Sequence, residues 1–121
     1  MTTIVLVSHS EDIANGGKAL LEQMVEGITV IAIGGHEGSI GTSFDRIQEG
    51  LKDLTEDALC FYDIGSASMN LDMAIEMYDG QYRVEKLEAP IIEGSFFAAV
   101  NLSTNTNLDD VIEIISKEFS R

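Results

Sequence analysis

Short β-branched runs alternate along this chain with segments of helical period. Residues 3–7, Thr3-Ile4-Val5-Leu6-Val7, are short, β-branched and followed by turn-forming residues, the pattern of a buried strand. Ile13, Gly17, Leu20, Leu21, Met24 and Val25 then recur at helical spacing and predict a helix that turns this face inward. Ser8 with Glu11 fits a capping box, Ser10 is the alternative N-cap, and Gly27 is the stop. A second strand is predicted over residues 28–33, followed by a glycine-rich loop over 34–41. Thr42, with Asp45, predicts the cap of a helix that carries Phe44, Ile47, Leu51 and Leu54 inward. Residues 58–62 predict a third strand ending at Asp63, and the next helix starts near Ser66 and buries Leu71, Ala74 and Ile75. Residues 81–86 alternate polar and apolar, as in a half-exposed or edge strand. Pro90 lies near the start of a helix running from Ile91 to about Leu102. Asn107 caps a last helix with Leu108, Val111, Ile112, Ile115 and Phe119 as its inward stripe.

The order βαβαβαβ followed by two helices predicts an α/β fold, a three-layer sandwich around a central, mainly parallel sheet of four strands. The 121 residues suffice for one domain, 1–121, and are too few for two. Apolar residues make up 45% of the chain, which argues against disorder. No apolar run approaches the roughly 20 residues of a membrane span. Met1-Thr2-Thr3 has no basic segment of the secretory kind, and a single cysteine excludes an internal disulfide, so a cytoplasmic protein is expected. Cys60 sits inside an apolar run and reads as a small core residue. The net charge of −14 repels nucleic acid, and no basic patch offsets it. Such a surface either steers a basic protein partner or serves solubility alone.

Three strand-to-helix junctions carry the chemistry. In a parallel sheet they gather at the carboxyl edge of the strands, where ligands bind. The first is Ser8-His9-Ser10. An imidazole there is either a turn histidine or a nucleophile beside two hydroxyls, at a helix end that favours an attached phosphate. The second is Gly41-Thr42-Ser43, an ordinary cap or a set of N–H and O–H donors for an oxyanion; the lysine of a P-loop is missing. The third is Asp63-Ile64-Gly65-Ser66. Its carboxylate either caps the helix or accepts a proton from one imidazole nitrogen and leaves the other free to attack. His36, on the glycine-rich loop, reads as a solvated residue or a rim contact, and no ligand spacing joins it to His9 as a metal site. Met69, Met73 and Met77 recur every fourth position, as core filler or as an adaptable docking surface.

With these residues in place, the chain resembles the mannose-type EIIA family of the phosphotransferase system (PTS). Within it, the chain is most similar to the phosphotransfer subunits of PTS-dependent dihydroxyacetone kinases. The resemblance rests on residues 4–10, Gly34-Gly35, Ile40-Gly41-Thr42-Ser43, Asp63-Ile64-Gly65-Ser66-Ala67-Ser68-Met69-Asn70, Pro90-Ile91-Ile92-Glu93-Gly94 and Ala98-Ala99-Val100, which span nearly the whole chain. It implies a mannose-type EIIA fold in which His9 is phosphorylated by the phosphocarrier HPr. His9 then passes the phosphoryl group to ADP held on a nucleotide-binding kinase subunit. A third subunit binds dihydroxyacetone. Asp63 would orient the imidazole, and Ser8, Ser10, Gly41, Thr42, Ser43, Gly65 and Ser66 would hold the phosphate. The resemblance also implies a homodimer, no cofactor of the chain's own, and HPr and enzyme I acting in trans. Two other readings stand beside it: the EIIA component of a mannose-type sugar transporter, and an α/β signalling or binding module. A receiver module would need a pair of acids where Ser8-His9-Ser10 stands. A histidine-type phosphatase would need an arginine beside His9, and none adjoins it in sequence.

Overall fold

The computed structural model describes residues 2–104 and 107–119. Its elements are β1 (Thr2–Ser8), α1 (Glu11–Met24), β2 (Thr29–Gly34), α2 (Phe44–Lys52), β3 (Asp57–Tyr62), α3 (Gly65–Met77), β4 (Val84–Lys86), α4 (Ile91–Ser103) and α5 (Leu108–Glu118). The four strands form one sheet in the order β2-β1-β3-β4, and every pairing is parallel. β1 is flanked on both sides, which explains why its whole length is buried and its sequence is a continuous β-branched run.

Alternation along the strands sorts the core into two layers. Ile4 and Leu6 of β1, with Val30, Leu59 and Phe61, meet Leu21 of α1 and Val25 just past it, Ala98 and Ala99 of α4, and Val111 and Ile115 of α5. Val5 and Val7, with Ile33, Ala58 and Cys60, meet Ile47 and Leu51 of α2 and Ala67, Leu71 and Ala74 of α3. The predicted three-layer parallel architecture is therefore the observed one. Burial pushes the Cys60 thiol up to about 12, with the Glu85 charge adding to the shift, so it stays a protonated core group.

Four local details differ from the sequence reading. The sheet-facing side of α1 is Ala14, Gly17 and Leu21, while Ile13, Leu20 and Met24 stand half-exposed or more. The apolar stripe is wider than the contact it needs, because small Ala14 and Gly17 let the helix lie close to the sheet. Ser10, not Ser8, caps α1, and Ser43, not Thr42, caps α2. β4 shrinks to three residues at the open edge, where only β3 pairs with it. Met69, Met73 and Met77 lie on the outer side of α3 rather than in the core.

The strand order places the functional edge. β1 hands the chain through α1 to β2 on one side, and α2 then carries it across to β3 on the other. The carboxyl ends of β1 and β3 thus meet where the order reverses, the position at which open α/β sheets bind ligands. Gly34 closes this edge by close approach: a Cβ on it would lie 2.6 Å from the backbone oxygen of Ser10.

Gly34→Ala should therefore destabilise the fold by about 1–3 kcal/mol, since the obstacle is backbone at the start of α1. Gly16→Ala, at an exposed helical position with nothing within 4 Å of the new methyl, should stabilise by up to about 1 kcal/mol. Urea unfolding of the two variants beside the parent measures both.

Candidate active site at the carboxyl edge of the sheet

His9 is the first residue past β1 and Asp63 the first past β3. Because Val7 pairs with Tyr62 in the parallel register, Ser8 and Asp63 come side by side at the sheet edge. The Asp63 carboxylate collects four donors there. Ser8 Oγ donates to Oδ2 at 2.7 Å and the His9 backbone N–H to the same oxygen at 3.0 Å. His9 Nδ1 lies 2.9 Å from Oδ1, and the Ile64 N–H donates to that oxygen at 2.7 Å.

Burial pushes the Asp63 carboxyl up. The hydrogen bonds from the His9 ring, Ser8, the His9 N–H and the Ile64 N–H outweigh it and hold the group below the ordinary carboxylate range. An ionised carboxylate only accepts, so Nδ1 carries the proton. In the neutral ring Nε2 then keeps its lone pair, and Ser66 Oγ, 2.5 Å away, is the donor to it. The result is a line from Asp63 through the imidazole to Ser66, with the His9 side chain 17% exposed.

The structure distributes the other sequence-derived residues over three tasks. Gly65 and Ser66 open α3, whose N-terminus has no side-chain cap, and the Ser66 hydroxyl meets Nε2. Ser8 is fully buried: its hydroxyl donates to Asp63 and accepts from the Ser10 N–H at 3.0 Å, which braces the turn. Ser10 and Ser43 accept from Ile13 and Arg46 N–H groups as N-caps. Gly41 donates its N–H to the His9 carbonyl at 2.7 Å and does so at φ 144°, a backbone region that favours glycine. Thr42 Oγ1 accepts from Asn70 Nδ2 at 2.7 Å. His36 is exposed in a tight turn with Ser39, and its Cβ lies 3.3 Å from where a Cβ on Gly41 would stand. Among the described residues no group of three or more His, Cys, Asp or Glu side chains is arranged to hold a metal ion.

Two contributors carried no role in the sequence reading. Asn70 follows Ser66 by four residues, so one side of α3 supplies both the hydroxyl at His9 and the amide that holds Thr42. That i, i+4 spacing was the available signal. Arg46 donates from Nη1 to the Gly34 carbonyl at 2.8 Å and stands 3.9 Å from Glu11, tying α2 to the edge of β2. No sequence signal distinguishes it from any other helical arginine.

A family model for EIIA-man proteins, described as the PTS system fructose IIA component, matches residues 3–112. The chain belongs to the EIIA-man family. A Lactococcus lactis relative, the phosphotransferase subunit DhaM of a PTS-dependent dihydroxyacetone kinase, is 40% identical over 116 residues, covering 94% of this chain and 93% of that protein. A Listeria innocua DhaM, a phosphoryl donor subunit of a PEP-dependent dihydroxyacetone kinase, is 32% identical over 93% of this chain and 88% of its own length. Among solved structures, a protein of unknown function, EF1359, superposes with a TM-score of 0.85 at 28% identity, covering 99% of this chain and 95% of that one. A phosphotransferase-system EIIA component from Streptococcus agalactiae has the same fold, with a TM-score of 0.62 at 19% identity over 97% of this chain and 91% of its own.

The depressed Asp63 pKa gives this EIIA-man domain an acid-sensitive contribution to stability. A carboxyl held low in the folded state stabilises above its ordinary pKa, and that contribution is lost as pH falls through and below the ordinary carboxylate range. Asp63→Asn should thus lose less stability than the parent between about pH 6 and about pH 3. Urea unfolding at the two pH values checks it; equal losses would mean that the native hydrogen bonds do not favour the ionised form.

Proposed function

We propose that this chain is a phosphohistidine carrier that takes a phosphoryl group from HPr and delivers it to ADP on the nucleotide-binding subunit of a dihydroxyacetone kinase. The observation that carries the reading is the Asp63–His9–Ser66 line. It pins Nδ1 and aims Nε2 at an uncapped helix N-terminus. In the first transfer the Nε2 lone pair attacks the phosphorus of phosphorylated HPr, forming an N–P bond as the donor's N–P bond breaks. In the second, a β-phosphate oxygen of ADP attacks that phosphorus, and the bonding pair returns to Nε2. Asp63 orients the ring throughout and favours the positive charge that develops on it. Ser66, Thr42, Ser43 and Ser10, with the N–H groups of Gly65 and Ser66, are the cradle for the phosphate. Ser8 and Gly41 serve it indirectly, by holding Asp63 and the His9 backbone.

Cations are few at this edge, which suits a group that must leave again. Arg46 is engaged with Gly34 and Glu11. Lys86 is engaged with Ser68, Asp72 and Glu88. Dipoles and hydroxyls therefore hold the phosphate, without a fixed salt bridge to break. The DhaM relatives favour a kinase acceptor over a sugar-transporter component. No helix in the described residues is long and apolar enough to cross a membrane. The reading includes a cytoplasmic homodimer, supported by the exposed apolar row Ile13, Leu20 and Met24 on α1. Sedimentation equilibrium checks the dimer, and a monomer at all concentrations removes it.

Incubation with enzyme I, HPr and phosphoenolpyruvate should add one acid-labile, alkali-stable phosphate by intact mass. His9→Ala should abolish labelling and His36→Ala should keep it. Asp63→Asn should slow transfer by up to about 10⁴-fold, as loss of the tautomer-fixing carboxylate does in the serine-protease triad. Ser66→Ala should slow it less, by the equivalent of about 1–3 kcal/mol. ADP-loaded kinase subunit should discharge the phosphohistidine with formation of ATP. A normally labelled His9→Ala protein, or discharge only to a transporter IIB domain, would overturn the assignment.

A further inference from the structure

The helix that supplies Ser66 carries a second feature, which the transfer chemistry leaves unused. Ser66, Met69, Met73 and Met77 follow one another at spacings of three, four and four residues, which is one face of an α-helix. The methionines are 70%, 51% and 60% exposed, because α3 packs on the sheet through Ala67, Leu71 and Ala74 instead. Ile64, 61% exposed, extends the face past the helix N-terminus, and Ile40, 75% exposed, stands beside Gly41, whose N–H holds the His9 carbonyl. The apolar row thus starts at the hydroxyl bonded to His9 Nε2 and runs about 16 Å down the helix.

We propose that Ile64, Met69, Met73 and Met77 form the docking surface for the proteins that exchange phosphate with His9, each seating an apolar projection inside a basic rim. The proposal rests on the carrier reading. Continuity is the first argument: a protein that reaches Nε2 across this edge covers the first turn of α3, and the row begins there. Charge is the second. Glu76 flanks the row on α3, and Asp45 and Glu49 are exposed on neighbouring α2, in a chain of net charge −14. A basic rim complements those acids, whereas a second copy of this chain would bring the same acids against them. Residue type is the third. A carrier presents one nucleophile to two differently shaped partners in turn. Unbranched thioether side chains with three rotatable bonds repack against each, as branched side chains do not.

The test compares the parent with M69S/M73S and with V100S, which removes an exposed apolar side chain from α4 on the opposite layer. Each is phosphorylated by phosphoramidate, a small donor that needs no docking surface, and by phosphorylated HPr at several concentrations. Phosphoramidate transfers its phosphoryl group to Nε2 with loss of ammonia and should label all three proteins at equal rates. With phosphorylated HPr, M69S/M73S should show a KM raised about tenfold or more with kcat little changed, and V100S should match the parent. The parent's KM should also rise with salt. An unchanged KM for M69S/M73S, or an equal rise in V100S, overturns the docking surface. So does a loss of self-association in M69S/M73S by sedimentation, which would make the row a contact between copies. Failure of phosphoramidate to label His9 in the parent overturns the carrier reading itself, and the docking surface with it.

Discussion

One carboxylate holds the two halves of the carboxyl edge together. Asp63 accepts from Ser8, from the backbone and ring of His9, and from Ile64, so a single side chain joins the end of β1 to the start of α3. Each bond has a structural task. The Ser8 hydroxyl and the His9 N–H would otherwise be donors without partners at the end of a buried strand, where a lost hydrogen bond costs about 1–3 kcal/mol. The ring bond turns the imidazole so that its other nitrogen meets Ser66. Because the acceptor is ionised, these bonds are stronger than neutral ones.

The surroundings hold that geometry from both sides. On one side the loop after β2 returns to the site, with Gly35 donating to the Ser8 carbonyl and Gly41 to the His9 carbonyl. On the other, Lys86 of edge strand β4 reaches Ser68 and Asp72 of α3 and lies over the ring of Tyr62. Burial lowers the Lys86 pKa, but its hydrogen bonds to Asp72 and Glu88 raise it further, so the net shift is upward and the ammonium remains a charged clamp. α3 is therefore fixed along its first two turns even though the methionines of its outer face stay exposed. A helix held this way can present exposed methionines without losing its register against His9.

Chemistry and topology share a cause in this fold. The strand order reverses between β1 and β3, so α1 and α3 leave the sheet edge in opposite directions from adjacent strands. The gap between them is where His9, Asp63 and Ser66 meet. Parallel strands with helical crossovers make such a gap at every reversal. The residues placed there decide what it does, and here they are one imidazole, the carboxylate bonded to its Nδ1 and the hydroxyl bonded to its Nε2.

Much of this was legible in the chain. The four short runs, the 3.6-residue periods and the cap at Asn107 are local patterns, and local sterics and hydrogen bonding are sufficient to set them. The grouping of His9 with Asp63 followed from the parallel-sheet rule applied to two strand ends. The sequence did not distinguish which hydroxyls face the edge. Ser8 and Ser10 are two residues apart, yet one is buried beneath Asp63 and the other caps a helix, a difference set by the register between β1 and β3. Nor did helical period show that α1 and α3 bury their small residues and leave Ile13, Leu20 and the methionine row outside. Periodicity marks a face, but the distance of closest approach to the sheet determines which edge of that face is covered. The sequence by itself determined the elements and their order, and singled out the imidazole proposed as the nucleophile. Only the tertiary structure decided the hydrogen bonds that aim it, because those partners lie more than fifty residues apart and meet through strand register.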